Sequence, residues 1–236
     1  MNRLTQTGFT LIEMSIVLVI IALLIGGALA PLSAQKEQEW RKENQQLLQE
    51  AKEALLGYAI VNGYLPCPDT NNDGREDTAG GPGACGPTTA NPAQFYPSGV
   101  QGRLPWVTLG LNAKFDPWGE NHFVYYAVTG AFASNTLSIT SASLPPGQLD
   151  IYDTAAGCGS LLSPVALDVS AVIWTSAKNL YFMAPTLSAE EIENTDFDNC
   201  FVSREYNTIA GQEFDDQVVW LSPNVLFNRM ITAGTL

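Results

Sequence analysis

Histidine is nearly absent from this chain: His122 is the only one among 236 residues. A His-based triad would need partners recruited from unrelated places. The HExxH, GxSxG and GxxxxGK[ST] patterns of metalloproteases, serine hydrolases and nucleotide-binding loops are all missing. Positive charge is scarce too. Lys and Arg number 11 against 24 Asp and Glu, a formal net charge of -13. The chain as a whole repels phosphate, so direct nucleic-acid binding is not expected. None of the 4 cysteines lies in a CxxC pair, so the usual spacing of a zinc site is lacking. No internal repeat and no long run of like charge occurs. An enzyme is therefore not expected.

What is present is apolar material. Hydrophobic residues make up 46% of the sequence, enough for a real core. The chain opens MNRLTQTGFTLIEMSIVLVIIALLIGGALAPL, and from Met14 to Gln35 no residue is charged. As a helix that stretch is about 33 Å long, close to one bilayer core. A secretory signal cut near Ala28 or Ala30 is one reading, and a plain membrane anchor is another. Neither uses Glu13, a carboxylate at the edge of the run that is costly to place in lipid. An even cysteine count behind an export segment reads as disulfides. Of the three pairings, the sequential one, Cys67–Cys85 and Cys158–Cys200, closes the shortest loops and is the one expected.

The order Gly8-Phe9-Thr10-Leu11-Ile12-Glu13, followed by the apolar run, resembles the class III signal of type IV pilins and type II secretion pseudopilins. The resemblance implies a leader (1–8) cut after Gly8 on the cytoplasmic side by a prepilin peptidase. It implies a new N-terminus at Phe9 that is N-methylated, and a Glu13 that pairs with the amine of a neighbouring subunit. Assembly would thus supply a cation for the buried acid. Arg3 in the leader fits the positive-inside rule. Gly26, Gly27 and Pro31 also resemble the family, and Pro31 is expected to kink or locally melt the helix.

Residues 9–34 then form a transmembrane and filament-core helix, and 35–236 an amphipathic helix with a globular head. In the second part Trp40, Leu47, Leu48, Ala51, Leu55 and Tyr58 recur at helical steps, and the helix should end near Asn62-Gly63, before Pro66. The head reads as strands: Phe123–Val128, Thr136–Thr140, Leu149–Tyr152, Leu167–Thr175 and Val218–Leu221. Ser222-Pro223 should open a final helix that buries Val225, Leu226, Met230 and Ile231 and stops at Gly234. The expected fold is α+β and pilin-like: a long N-terminal helix packed on an antiparallel sheet with disulfide-stapled loops.

In CPDTNNDGRED, Asp69, Asn71, Asp73 and Gly74 match the first half of a calcium loop, with Asp77 as a later ligand and the Arg75 carbonyl between. Gly80 stands where a bidentate Glu belongs. The competing reading is a surface loop rich in Asx-turns, pinned by Cys67. Calcium is the one cofactor for which ligands are on offer. Asp116-Pro117-Trp118-Gly119 resembles a turn of several pilins and pseudopilins, and it reads as structural, as does Trp106. His122 reads as a surface or packing residue. Asp215-Asp216 reads as solvated, or bonded to loop amides.

The resemblance implies a structural subunit, a minor pilin, of a type IV pilus or related filament. The alternatives are a type II secretion pseudopilin, a competence pilus subunit, and a membrane-anchored binding protein. The implied partners are other pilin or pseudopilin subunits, the prepilin peptidase, an inner-membrane assembly platform and, before assembly, membrane lipid. The implied location is the inner membrane, single-pass with a periplasmic head, and afterwards an extracellular or periplasmic filament.

Overall fold

The apolar and amphipathic segments join into one helix. In the computed structural model, α1 runs over Leu11–Asn62, 52 residues, and is not interrupted at Pro31. The expected melting is absent: a proline costs one hydrogen bond and a local clash, and the bonds on either side persist. The structure describes residues 8–78, 85, 99–135, 137, 149–158, 160, 164–179, 187–196 and 198–236, the side chains of 27–33, 99 and 100 excepted. Two compact units are present, Met1–Lys42 and Glu43–Leu236.

In the first unit every described side chain from Gly8 to Gly26 is exposed, with Phe9 at 80% and Leu11 at 89%. Among the described residues no helix is long and apolar enough to cross a membrane. The described apolar stretch, 11–26, is about 24 Å long as a helix. The span expected over 9–34 includes 27–33, whose side chains lie outside the described residues.

In the second unit α1 ends where Gly63 N–H bonds to Ala59 O at 2.8 Å. Its stripe of Leu48, Ala51, Leu55, Leu56 and Ala59 is buried. The strands are β1 (Gly99–Arg103), β2 (Tyr125–Thr129), β3 (Leu149–Tyr152), β4 (Pro164–Val169), β5 (Ala171–Thr175), β6 (Cys200–Val202) and β7 (Gln217–Leu221); α2 is Ala189–Glu193 and α3 is Pro223–Ala233. One sheet has the order β1-β2-β5-β7, antiparallel throughout. A second sheet has the order β4-β3-β6, with β3 antiparallel to β4 and parallel to β6.

Strand alternation divides the core. From β2 and β5, Tyr126, Val128, Ala171 and Ile173 face the α1 stripe together with Leu226, Phe227 and Met230 of α3. Ala127, Val172 and Trp174 face the other way, onto Leu149, Ile151, Val169 and Phe201 of the second sheet and its flank. The first sheet is therefore covered on both faces, which is why β5 reads as an unbroken apolar run. A buried polar tie, Asn44 Nδ2 to Thr175 Oγ1 at 2.7 Å, joins α1 to β5.

Three expectations are corrected. The α+β class and the antiparallel first sheet are present, but a second, mixed sheet adds a layer. The single strand expected over Leu167–Thr175 is two strands. The backbone turns through Asp168, φ 53, and Ser170, whose N–H bonds Leu221 O at 2.8 Å, carries the chain from the second sheet to the first. In α3, Ser222 caps the N-terminus with Pro223 next, and Gly234 closes the end. The buried side is Leu226, Phe227 and Met230, while Val225 and Ile231 stay 42% and 50% exposed. The strand expected over Thr136–Thr140 lies, apart from Leu137, outside the described residues. The cysteines pair sequentially, Cys67–Cys85 and Cys158–Cys200. Closing a loop of the first size contributes about 3 kcal/mol in the chain-entropy model.

Candidate functional site

Three places carry the chemistry. The first is the start of α1. Thr10 precedes the first helical residue. Its N–H donates to Glu13 Oε2 at 2.7 Å, its hydroxyl donates to the same oxygen at 2.8 Å, and Glu13 N–H returns a bond to Thr10 Oγ1 at 3.3 Å. This is a capping box, a reciprocal closure of amides that a helix start leaves open. The carboxylate also sits at the positive end of the helix dipole. Glu13 thus has a local partner within its own chain. The T-x-x-E spacing of Thr10 and Glu13 is the sequence signal of this box. Gly8 and Phe9 are exposed just before the helix.

The second place is the loop of Asp69, Asn71, Asp73 and Asp77. Asp69 is buried, 1% exposed. Its Oδ1 accepts from the amides of Asn71 and Asn72 at 3.1 and 2.6 Å, and its Oδ2 from Gly74 at 2.8 Å. Burial pushes the Asp69 carboxyl up, and those same amides pull against the shift. Asp77 Oδ2 accepts from Thr70 N–H at 2.7 Å and Thr70 hydroxyl at 2.6 Å, and its Oδ1 from Asn71 Nδ2 at 2.8 Å. Asn71 Oδ1 accepts from Asp73 N–H at 2.9 Å, and Asp73 Oδ1 from Arg75 N–H at 2.8 Å. The ligand oxygens are engaged by the loop's own N–H and O–H groups. The carboxylates of Asp69, Asp73 and Asp77 do not gather within 4.8 Å of one another, as three other groups among the described residues do. The geometry is that of nested Asx-turns beside a disulfide. Gly80 lies outside the described residues.

The third place corrects one half of the reading of Asp215-Asp216 as solvated or bonded to loop amides. They are 7% and 5% exposed, not solvated. Glu191 of α2, 1% exposed, brings its carboxylate to within 4.8 Å of both. Ser188 and Glu191 form a capping box, with Glu191 Oε2 accepting from Ser188 N–H at 3.0 Å. Glu191 Oε1 accepts from Asn179 Nδ2 at 3.3 Å and Asp215 N–H at 3.2 Å. Asp216 Oδ2 accepts from Asn194 Nδ2 at 2.8 Å, and burial pushes its carboxyl well up. Sequence reading missed Glu191. The S-x-x-E box of Ser188 marked a helix start, but nothing local marked its burial.

A further buried acid, Asp116, lies in a turn of its own. In the Asp116-Pro117-Trp118-Gly119 turn, Asp116 Oδ1 accepts from Trp118 N–H at 2.9 Å, and Asp116 N–H closes the loop on His122 O at 2.7 Å. The turn is structural, with Phe115 and Phe123 packed at 5.2 Å. Burial first, and repulsion from Asp215 after it, push the Asp116 carboxyl up to about 8. His122 is half-buried; its Nδ1 shares a 2.5 Å hydrogen bond with Ala177 O and lies 4.0 Å from Asp116 Oδ1. Desolvation lowers its pKa, so at neutral pH it brings no full positive charge to the acids.

Residues 3–29 match the family described as the prokaryotic N-terminal methylation motif, the prepilin-type signal of type IV pilins and pseudopilins. No curated protein and no solved structure matches the chain.

Proposed function

We propose that the protein is a structural subunit of a type IV pilus or related filament, processed at Gly8-Phe9 and polymerised from the inner membrane. The methylation motif over residues 3–29 carries this reading. It points to a pilin-like or pseudopilin subunit rather than an enzyme. Physical chemistry supports the same conclusion. A helix exposing Leu11, Ile12, Val17, Leu18, Leu23 and Leu24 on all sides is not stable in water and needs lipid or other apolar helices around it. Residues 27–35, uncharged in the sequence, extend the described stretch to bilayer length. Lipid then serves before assembly, and neighbouring subunits after it.

In this reading Glu13 has two successive roles. Before assembly its carboxylate caps its own helix through Thr10. In the filament it meets the amine at Phe9 of a neighbour, exchanging a neutral partner for a charged one. The prepilin peptidase and an inner-membrane platform are the further partners.

Mass spectrometry of the N-terminus from native membranes tests this. The expected species begins at a methylated Phe9. A native chain beginning at Met1, or just after Ala30, overturns the proposal. Shearing intact cells then separates the two filament types: a pilus subunit is released with surface fibres, whereas a secretion pseudopilin stays in the envelope.

A further inference from the structure

The Cys158–Cys200 disulfide ties the chain that follows β3 to the first residue of β6. The charges around it are of one sign. Glu193, the last residue of α2, brings a carboxylate oxygen within 4.8 Å of both sulfurs. Glu193, Asp196 and Asp198 bring their own carboxylates within 4.8 Å of one another. Local backbone fixes two of them. Asp196 Oδ1 accepts from Asp198 N–H at 3.1 Å, and Asp198 Oδ1 accepts from Cys200 N–H at 2.6 Å. The disulfide's own residue thus holds one of the carboxylates.

No cation offsets these acids. Among the described residues the Arg204 guanidinium pairs with Glu190 at 3.3 Å, and no Lys or Arg forms an ion pair with Glu193, Asp196 or Asp198. From residue 79 onward, the residues outside the described set include no Lys or Arg. The bond is nevertheless open to solvent on one side. Cys158 is half-buried and Asp196 is exposed, while Cys200 is buried.

A disulfide is reduced when a thiolate attacks one sulfur, the S–S bond breaks and the other sulfur leaves as a thiolate. A second thiolate then resolves the mixed disulfide, so two small thiols are oxidised and the two cysteines reduced. Both the attacking and the departing sulfur are anions. Carboxylates beside the bond repel the first and raise the pKa of the second, which makes it a poorer leaving group.

We propose that Glu193, Asp196 and Asp198 shield the Cys158–Cys200 bond electrostatically, so that it resists acidic thiols and yields selectively to aminothiols. The inference stands apart from the filament reading and from the Asp69–Asp77 loop. One unit charge about 5 Å away changes a rate about fourfold in bulk water. Three charges, some farther off and all screened by salt, give about tenfold.

The test uses the full chain in nonionic detergent micelles. Burial first, and repulsion from Asp196 and Asp198 after it, push the Glu193 carboxyl up to about 7. The assay therefore runs at about pH 9, where all three acids are charged. Cysteamine, 2-mercaptoethanol and mercaptoacetate carry a positive, a neutral and a negative group beside the thiol. Alkylation and peptide mass mapping read the Cys158–Cys200 bond separately from Cys67–Cys85. Each rate is taken per thiolate and normalised to an uncharged model disulfide. At low ionic strength cysteamine should outrun mercaptoacetate about tenfold, and about 1 M salt should erase most of that ratio. A variant combining Glu193→Gln, Asp196→Asn and Asp198→Asn keeps the accepting oxygens of the loop. It should react with mercaptoacetate about tenfold faster than the wild type, and gain least with cysteamine. Equal normalised rates for the three thiols, or a ratio indifferent to salt, overturn the proposal. Selectivity that survives in the triple variant belongs to other charges and overturns it too. A rate independent of thiol concentration means that opening of the fold limits the reaction, and the shield then has no role. Should the variant fail to fold, the salt dependence of the wild-type ratio still decides.

Discussion

Replacing Gly74 by alanine separates local backbone preference from tertiary packing in the 69–77 loop. Gly74 has φ 81. Its N–H donates to Asp69 Oδ2 at 2.8 Å, and its carbonyl accepts from Val107 N–H at 2.7 Å. A Cβ added there would fall 2.5 Å from Trp106 Cε2, 2.6 Å from Trp106 Nε1 and 2.6 Å from Val107 Cγ2. The left-handed backbone costs an alanine about 1–2 kcal/mol, and overpacking adds about 1–3 kcal/mol. Their sum, about 2–5 kcal/mol, is large against the usual net stability of a domain. For a chain of this size each kcal/mol moves Tm by about 2–4 °C, so the expected loss is about 4–20 °C. Gly110 is the control. It has φ 69 with nothing within 4 Å of the added Cβ, so Gly110→Ala should show only the backbone part, about 2–8 °C. Scanning calorimetry of the full chain in detergent measures both. Equal losses would show that Trp106 does not pack on Gly74, and the reasoning would fail.

Glu13→Gln keeps the capping box, since glutamine serves at that position as glutamate does, but it removes the charge. We expect Glu13→Gln and Glu13→Ala both to insert in the membrane and both to drop out of filaments, read by immunoblot of sheared fibres. Normal assembly of Glu13→Gln would reduce the residue to a helix cap. For pH, the Asp116 carboxyl rises from 3.8 to about 8 on folding. The folded chain therefore holds a proton that the unfolded chain releases, and stability falls as pH climbs from about 4 to about 8, levelling above. Tm should be higher at pH 5 than at pH 8, and Asp116→Asn should flatten part of that slope. A wild-type Tm that is level, or that rises across this window, refutes the assignment.

Much was legible from residue order because its causes are local. The stop at Asn62-Gly63, the Ser222-Pro223 start and Gly234 end of α3, and the strands at Leu149–Tyr152 and Val218–Leu221 depend on caps, turn residues and short periodicities within a few positions. The prepilin-type segment is likewise a contiguous signal, and the sequential cysteine pairing follows the shortest loops. Tertiary structure decided what depends on distant cover. Whether Leu167–Thr175 is one strand or two depends on β3 and β7 drawing its halves into different sheets, with Ser170 at the crossing. Phe227 goes inward and Val225 outward because α1 and the first sheet lie on only one side of α3. Asp215 and Asp216 look solvated in a polar stretch, yet both are buried, with Glu191 of α2 and Asn194 brought against them. Burial is a property of what arrives from elsewhere in the chain, so no window of sequence around an acid reveals that it will lose its water.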